Sequence, residues 1–297
     1  MAGPTSRHFL SSGRQLHAVV WGDEAAPPVI LVHGMKDMAR AWDGVAARLA
    51  ADCFVVAPDL AGHGDSPWSA DHSYAMSTFV YDLASLVRDI QERGHSSSVA
   101  IVGHSLGGNI ALRYAAAEPE RVSHLCAIEG IGATPEKAAE SDAIPVGERM
   151  RAWMDTRRKL FERPPRAITD VGVAAMLLKR ANPTITEAWA DHLAMHATRR
   201  ADDGTFVWKH DPLLAAMAPE DFEMPRKLAM MRAITAPTLL VYGEKSWAVS
   251  PADDGRMAFF NDAELLTVPD AGHWPHHNAP DVFADSIRAL LRRSATS

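Results

Sequence analysis

Six short apolar runs alternate along the chain with stretches of helical periodicity, and this alternation restricts the fold more than any other feature. The apolar runs occupy residues 29–32, 54–57, 99–102, 125–128, 238–242 and 265–268. The helical stretches include residues 76–92, 106–117 and 281–292. Such alternation indicates a mostly parallel, twisted sheet with helices on both faces. We therefore predict an α/β fold that opens with a β-hairpin before Asp23.

The alternation stops between about Gly132 and Leu228. Strand-like runs are missing from this part of the sequence, in which Arg, Trp, Met, Ala and Pro predominate. We predict that residues 132–228 form an inserted helical cap, with a surface loop or hinge near residues 133–143. Residues 1–131 and 229–297 are then the two halves of one α/β core domain.

The net charge and the two cysteines indicate which binding partners and which cellular compartment to expect. The 297 residues carry 30 basic and 37 acidic side chains, a net charge of −7, with no long run of either sign. Nucleic acids and anionic membranes therefore gain no electrostatic attraction, and we expect a small-molecule substrate. The apolar runs are too short to span a bilayer. Cys53 and Cys126 lie outside any CxxC pair, so we predict two buried free thiols and a cytoplasmic protein.

The sequence Gly103-His-Ser-Leu-Gly-Gly108 directly follows one apolar run and directly precedes a helical stretch. This is the context of the Gly-x-Ser-x-Gly nucleophile elbow, in which a strained turn exposes the serine at the end of a strand. Gly103 and Gly107 are needed because a Cβ there would collide with the neighbouring strand and helix. The alternative is a glycine-rich turn with an ordinary serine, but the strand and helix on either side favour Ser105 as a nucleophile.

Three further motifs, in the right order, make the chain resemble the α/β-hydrolase superfamily. They are HGM at residues 33–35, DLAGHGDS at 59–66 and GHWPHH at 272–277. The resemblance covers nearly the whole chain outside the predicted cap. It implies that the backbone N–H groups of Met35 and Leu106 form an oxyanion hole, and that a histidine after the last strand is catalytic.

A serine hydroxyl is a weak nucleophile at neutral pH, so a base has to take its proton during attack. Among the 14 histidines, the position after the last strand favours His273 as that base, with His276 and His277 as weaker candidates. The HxxHH pattern also invites a metal interpretation, but no acidic cluster accompanies it and we predict no metal site. We interpret His33 and His104 as framework residues.

The acid of the triad departs from the commonest pattern of the family. Most members carry Gly-x-x-Asp after the strand that corresponds to 238–242, where this chain has Ser246. Glu129 directly follows the run 125–128, and haloalkane dehalogenases and some lactone hydrolases use an acid at this strand end. Because carboxyl ends of parallel strands face the active-site crevice, we predict Glu129 as the acid. Glu244 is the first alternative, followed by Asp253 and Asp270.

Ser105 disfavours the dehalogenase and epoxide-hydrolase reactions of the superfamily, which use an aspartate at the elbow. The residues Ser246, Glu129-Gly-Ile-Gly, Asn182-Pro and WKHDP at 208–212 look like the serine hydrolase-like branch. Four tryptophans are candidates for an apolar or aromatic substrate pocket: Trp153, Trp189, Trp208 and Trp247. For Trp153 and Trp189 the default interpretation is packing within the cap.

We predict a serine hydrolase that cleaves a small carboxylic ester or lactone through an acyl-enzyme. The same apparatus serves C–C bond, amide and thioester hydrolysis, and the sequence leaves these alternatives open. Two further alternatives are a ligand-binding protein with little turnover and cofactor-free oxygenation or perhydrolysis. The glycines at 103, 107 and 108 form neither GxGxxG nor a P-loop, so we expect no cofactor. The sequence leaves the oligomeric state open.

Overall fold

The computed structural model describes residues 3–163, 167–219 and 223–294. In these ranges the strands, in chain order, are β1 (Thr5–Ser11), β2 (Arg14–Trp21), β3 (Pro28–Val32), β4 (Phe54–Pro58), β5 (Val99–His104), β6 (Val122–Ile128), β7 (Thr198–Arg200), β8 (Phe206–Trp208), β9 (Thr238–Gly243) and β10 (Ala263–Val268). The α-helices are α1 (Asp43–Leu49), α2 (Met76–Glu92), α3 (Leu106–Ala117), α4 (Pro135–Asp142), α5 (Val146–Phe161), α6 (Val171–Ala181), α7 (Glu187–Ala197), α8 (Met224–Ala233), α9 (Pro275–Asn278) and α10 (Pro280–Leu291).

One sheet of eight strands organises the described residues, in the order β1-β2-β4-β3-β5-β6-β9-β10. Strands β1 and β2 form an antiparallel hairpin, and β2 is antiparallel to β4. All other neighbours in the sheet are parallel. The mostly parallel sheet and the opening hairpin are therefore confirmed.

Helices cover both faces of the sheet, and alternate side chains of each central strand point to opposite faces. In β3, Ile30 and Val32 pack with α2 and α3, whereas Val29 and Leu31 pack with α1 and α10. Strands β3, β4 and β5 are buried along their whole length. Burial on both faces explains why these strands read as continuous apolar runs in the sequence. Cys126 lies in β6 and Cys53 just before β4, and both are buried free thiols, as expected.

The segment 132–228 contributes no strand to the large sheet within its described residues, and α4 to α8 account for most of it. Two expectations about it were wrong. It contains a small antiparallel hairpin of β7 and β8, which pairs Thr198 with Trp208. Three-residue strands are too short to show a periodicity of two. Residues 135–142 form α4 rather than a loop, because Thr134 accepts a hydrogen bond from the Lys137 N–H and Pro135 occupies the first helical position.

Apolar packing and buried polar contacts join this segment to the rest of the chain. Helices α6 and α7 pack against Met38 and Ala41, which follow β3. The buried Asp211 accepts hydrogen bonds from the Tyr74 hydroxyl and from His72 Nδ1, each at 2.6 Å. The Trp68 indole N–H donates to the carbonyl of Lys209 at 2.8 Å. Among the described residues, no helix is both long enough and apolar enough to cross a bilayer.

Candidate active site

Ser105 lies in the sharp turn between β5 and α3. Its φ of 51° and ψ of −110° lie in a region that non-glycine residues rarely adopt. The Ser105 N–H donates to the carbonyl of Ile128 at 2.8 Å, and its carbonyl accepts from the backbone N–H and the side-chain amide of Asn109, each at 3.1 Å. These bonds hold the strained turn in place at the carboxyl end of β5.

The glycines on either side of Ser105 allow backbone segments to approach closely. A Cβ on Gly103 would lie 2.4 Å from the carbonyl oxygen of Gly107, which lies in the first turn of α3. A Cβ on Gly107 would lie 2.2 Å from the carbonyl oxygen of Val32 in β3. The collisions predicted for both glycines are confirmed. The position of Ser105 therefore depends on the absence of two side chains.

Glu129 and His273 form a buried pair beside this turn. His273 Nδ1 lies 2.5 Å from Glu129 Oε2. The same oxygen accepts a hydrogen bond from the Ser246 hydroxyl at 2.5 Å, and Oε1 accepts from the Gly243 N–H at 2.8 Å. The side chains of Glu129 and His273 are 0% and 8% exposed. The carboxylate thus has three donors, one of them Ser246, which occupies the place of the commonest aspartate.

The alternative acids contact other groups. Glu244 is exposed, and its Oε2 accepts a hydrogen bond from the Asp270 N–H at 3.0 Å. Asp270 pairs with Lys245 at the surface. Among the described residues, neither carboxylate forms an ion pair with a histidine, and the same is true of Asp253. The structure therefore brings Glu129, and none of these three acids, to His273.

Aromatic rings surround His273. The His104 Nε2–H donates to the carbonyl of His273 at 2.8 Å, and the two rings are 4.8 Å apart. Burial, and then the neighbouring His273, lower the pKa of His104 well below its ordinary value. His104 is therefore neutral and holds the His273 backbone next to Ser105. The Trp247 ring, 4.7 Å from the His273 ring, is 70% exposed and lies on the outer side.

His276 and His277 both lie in α9; His276 is buried, and His277 is half-buried. Burial and the neighbouring histidines lower the pKa of His276 well below its ordinary value. Burial lowers the pKa of His277 to about 3. Both are neutral at physiological pH, and neither joins a described group of three possible metal ligands.

The loop 33–35 packs directly on the elbow. A Cβ on Gly34 would lie 2.7 Å from His104 Nδ1 and 3.4 Å from Ser105 Cβ. The N–H of the next residue, Met35, has no acceptor among the described residues. Leu106 is the first residue of α3, where an N–H group has no partner within the helix. Two free backbone donors thus flank Ser105.

His33 and Asp59 connect this loop to its neighbours. His33 Nδ1–H donates to the carbonyl of Gly34 at 2.8 Å, and Nε2 accepts from the Leu60 N–H at 3.0 Å. Asp59 accepts from the Ala39 N–H at 2.7 Å and from the Asp65 N–H at 2.8 Å. These contacts give both residues a structural role.

A cavity of about 300 Å³ opens beside the loop and extends under segment 132–228. Its wall is mostly apolar and consists of Met35, Lys36, Asp37, Met38, Leu177, Leu178, Ala181, Asn182, Ile185, Leu193, Ala197, Trp208, His210, Trp274 and His277. Of the four candidate tryptophans, only Trp208 belongs to this wall. Trp153 donates to the carbonyl of Ala216 at 2.9 Å, and Trp189 stacks on His192 at 4.6 Å, so both pack within the structure instead.

Sequence reasoning missed the polar part of this wall. Burial, opposed by a hydrogen bond from the Met38 N–H, raises the pKa of Asp37 to about 7, and Asp59 adds to the rise. Burial, and then Lys36, lower the pKa of His210 to about 4. Lys36 and Asp37 directly follow the HGM motif, so their position in the sequence was the available signal.

Comparisons with known proteins agree with this fold. A family model described as alpha/beta hydrolase fold matches residues 27–280. A serine hydrolase-like protein of Dictyostelium discoideum is 26% identical over 305 residues, covering 97% of this chain and 82% of its own length. Lipase LipV of Mycobacterium tuberculosis is 30% identical over 284 residues, with 93% and 97% covered. The thioesterase domain from the curacin biosynthetic pathway superposes with a TM-score of 0.83 at 25% identity, covering 97% of this chain and all of that domain.

The chain belongs to the α/β-hydrolase superfamily, as the motifs indicated. It is a hydrolase of the α/β fold.

The raised pKa of Asp37 predicts a pH-dependent stability difference between wild type and Asp37→Asn. An unfolded Asp37 loses its proton near pH 4, whereas the folded protein keeps it until about pH 7. The folded state binds more protons in this window, so wild-type stability falls as pH rises through it. Relative to wild type, we expect Asp37→Asn to gain unfolding free energy between pH 4 and pH 8, by no more than about 4 kcal/mol.

Urea unfolding at the two pH values measures this gain. The control is Asp202→Asn, at an exposed position. Its unfolding free energy should differ from that of wild type by the same amount at pH 4 and at pH 8. An Asp37→Asn difference that does not change with pH would contradict the burial of a protonated carboxyl.

Proposed function

We propose that this protein is a serine hydrolase that cleaves a small carboxylic ester through an acyl-enzyme, with Ser105, Glu129 and His273 as its triad. The observation that carries the proposal is the 2.5 Å contact of Glu129 Oε2 with His273 Nδ1, next to a serine in a strained elbow. The chain order Ser, Glu, His is that of α/β-hydrolase triads. Relatives named as an esterase and a lipase support an ester substrate.

In the first step, His273 takes the proton of the Ser105 hydroxyl as its oxygen attacks the substrate carbonyl. The imidazole becomes an imidazolium, which the buried Glu129 carboxylate stabilises and orients through Nδ1–H. The contact leaves Nε2 as the ring nitrogen that exchanges the proton. Gly243 and Ser246 hold the carboxylate in place, so Glu129 accepts this bond without rearranging.

The tetrahedral intermediate carries a negative oxygen that needs donors. The N–H groups of Met35 and Leu106 supply them, since neither donates to an acceptor within the part of the chain that the structure describes. Collapse of the intermediate breaks the bond to the alcohol, which leaves with the proton from His273. Water then attacks the acyl-enzyme by the same route, with His273 as base, and releases the acid and Ser105.

The apolar cavity beside Met35 is the proposed acyl site, and segment 132–228 acts as its cap. Its volume of about 300 Å³ lies at the lower end of the range for small-molecule sites. Each buried methylene of an acyl chain contributes about 0.8 kcal/mol, so the wall favours chains of several carbons over acetate. Trp208 and Trp274 provide flat surfaces for an aromatic acyl group.

A thioester is the second candidate substrate, since the curacin-pathway structure that superposes on nearly the whole chain is a thioesterase domain. The same triad and oxyanion donors serve both bonds. Lactones would use the apparatus too, with the alcohol remaining attached to the acyl group. Three observations argue against a binding protein without turnover: the strained Ser105, the Glu129–His273 contact and the free N–H of Met35.

Ser105→Ala tests the nucleophile. Wild-type protein mixed with p-nitrophenyl acetate should release a burst of p-nitrophenol, about one equivalent per active site, because this activated ester acylates Ser105 faster than water removes the acyl group. The variant should show no burst and turnover lower by at least about 10³-fold, with an unchanged circular dichroism spectrum. A burst or near-wild-type turnover in Ser105→Ala would contradict the proposal.

Glu129→Gln tests the acid, with Glu244→Gln as the matched control. Glutamine keeps the size and one acceptor of Glu129 but removes the charge that stabilises the imidazolium. We expect kcat to fall by about 10² to 10⁴-fold, as in other triads. The exposed Glu244 should be replaceable with kcat unchanged within about twofold. The reverse pattern would place the acid after β9 and refute the assignment of Glu129.

Leu177→Trp tests the acyl site, because Leu177 lines the cavity and a larger ring would fill it. We expect kcat/KM for an octanoate ester to fall at least about tenfold relative to acetate, equivalent to about 1.4 kcal/mol. Met176→Trp is the control, since Met176 is the neighbouring residue of α6 and is 65% exposed. Equal losses for both esters, or equal effects of both variants, would exclude this cavity as the acyl site.

A further inference from the structure

Two histidines of α7 and an aspartate of α1 converge on the side of α7 that faces the core. His192 Nε2 lies 3.2 Å from Asp43 Oδ2, and the rings of His192 and His196 are 4.7 Å apart. One ligand atom from each of the three residues can be chosen so that all lie within 4.8 Å of one another. We propose that Asp43, His192 and His196 bind a divalent transition-metal ion such as Zn²⁺, which joins α7 to α1.

The spacing of the histidines suits a shared ion. Residues four apart on a helix lie on one face, so His192 and His196 project side by side. Trp189 stacks on the His192 ring at 4.6 Å with an interplanar angle of 12°, which restricts rotation of that ring. Ligands about 2.1 Å from a tetrahedral zinc are about 3.4 Å apart. His192 Nε2 and Asp43 Oδ2, 3.2 Å apart, already lie at about this separation.

His196 has a nitrogen lone pair available for a metal. Within the described ranges its ring takes part in no hydrogen bond. A neutral imidazole keeps a lone pair on the ring nitrogen that carries no proton, and that nitrogen can bind a metal ion. His192 Nε2 also lies 3.3 Å from the carbonyl of Arg40. An ion bound at Nε2 takes the place of the proton there, and the neutral ring then carries its proton on Nδ1.

Arg40 donates hydrogen bonds to Asp43, the third proposed ligand, and leaves acceptor sites of its carboxylate available for a metal ion. Its Nε and Nη2 donate to Asp43 at 2.5 to 2.8 Å. An ionised carboxylate offers about four acceptor sites, and metal-bound carboxylates commonly keep hydrogen bonds to other groups. The charge of Arg40 opposes a cation, so we expect weaker affinity than at a closed structural zinc site. His192 and Asp43 are 25% and 15% exposed, which leaves room for a water ligand.

Such an ion would brace the wall of the cavity. Leu193 and Ala197, the neighbours of the two histidines on α7, line the cavity, and Asp43 begins a helix that packs on the sheet. The ion would therefore resist separation of α7 from the core and stabilise the folded state in proportion to its occupancy.

The test is direct binding to chelator-treated full-length protein at pH 7, without substrate. Zn²⁺ titrated in a calorimeter should bind at one equivalent to this site, and Co²⁺ should give visible d–d absorption. His192→Ala, His196→Ala and Asp43→Asn should each weaken binding at least about tenfold. His8→Ala, on exposed β1, and Asp191→Asn, an exposed neighbour on α7, are the controls and should bind as wild type.

The thermal unfolding midpoint gives a second readout. Zn²⁺ should raise it for wild type and for both controls, and not for His196→Ala. The unfolding midpoint of each variant without metal shows whether that variant folds. If His196→Ala does not fold, His196→Gln takes its place. Unchanged binding in His196→Ala, or binding lost only in His273→Ala, would overturn the proposal. No step of this test measures hydrolysis. Absence of metal binding would therefore not contradict the proposed ester cleavage, and absence of ester cleavage would not contradict the metal site.

Discussion

The arrangement of the site depends on one buried carboxylate and the groups that donate hydrogen bonds to it. Glu129 has almost no contact with solvent, and an ionised carboxylate in such a place is costly unless donors replace the lost water. Its donors are the Gly243 N–H, the Ser246 hydroxyl and His273 Nδ1. They come from the end of β9, the loop after it and the loop after β10. One side chain thereby fixes the relative positions of three segments that are distant in sequence.

The histidines around this carboxylate lie in an apolar setting and carry little charge. His104 and His276 are buried beside His273, and burial lowers the pKa of each. Protonating either one would place a second positive charge next to the imidazolium formed in the proposed mechanism. Their neutrality leaves Glu129 as the dominant charge acting on His273. The ring packing around His273 thus has an electrostatic effect as well as a steric one.

Sequence reasoning succeeded where local chemistry and chain order decide the outcome. Strands β3 to β5 could be predicted because burial on both faces requires unbroken apolar runs. The need for Gly103 and Gly107 could be predicted because close approach of backbone segments excludes a Cβ. Glu129 could be proposed because parallel strands bring their carboxyl ends to one edge.

The remaining features of the fold and the site could not be predicted from the sequence, for physical reasons. The pairs that make up β7 and β8 depend on tertiary contacts rather than on periodicity. The start of α4 was readable from Thr134 and Pro135, and the composition of the stretch obscured it. The wall of the cavity joins residues from β8, α6 and the loop after β3, and only the folded chain shows which of their side chains meet. The same holds for the partnership of Asp43 with two histidines about 150 positions away.

The hydroxyl of Ser246 within hydrogen-bond distance of Glu129 has an evolutionary consequence. An aspartate at this position would place a second carboxylate against that of Glu129, and one of the two would have to hold a proton. Glutamate at 129 and aspartate at 246 are therefore alternatives, because a charged carboxylate at either position disfavours a charged carboxylate at the other. Moving the acid from one strand end to the other takes two substitutions. After the first of them, the site has either two acidic side chains or none. Such a barrier favours keeping one arrangement within a branch even while the overall sequence diverges.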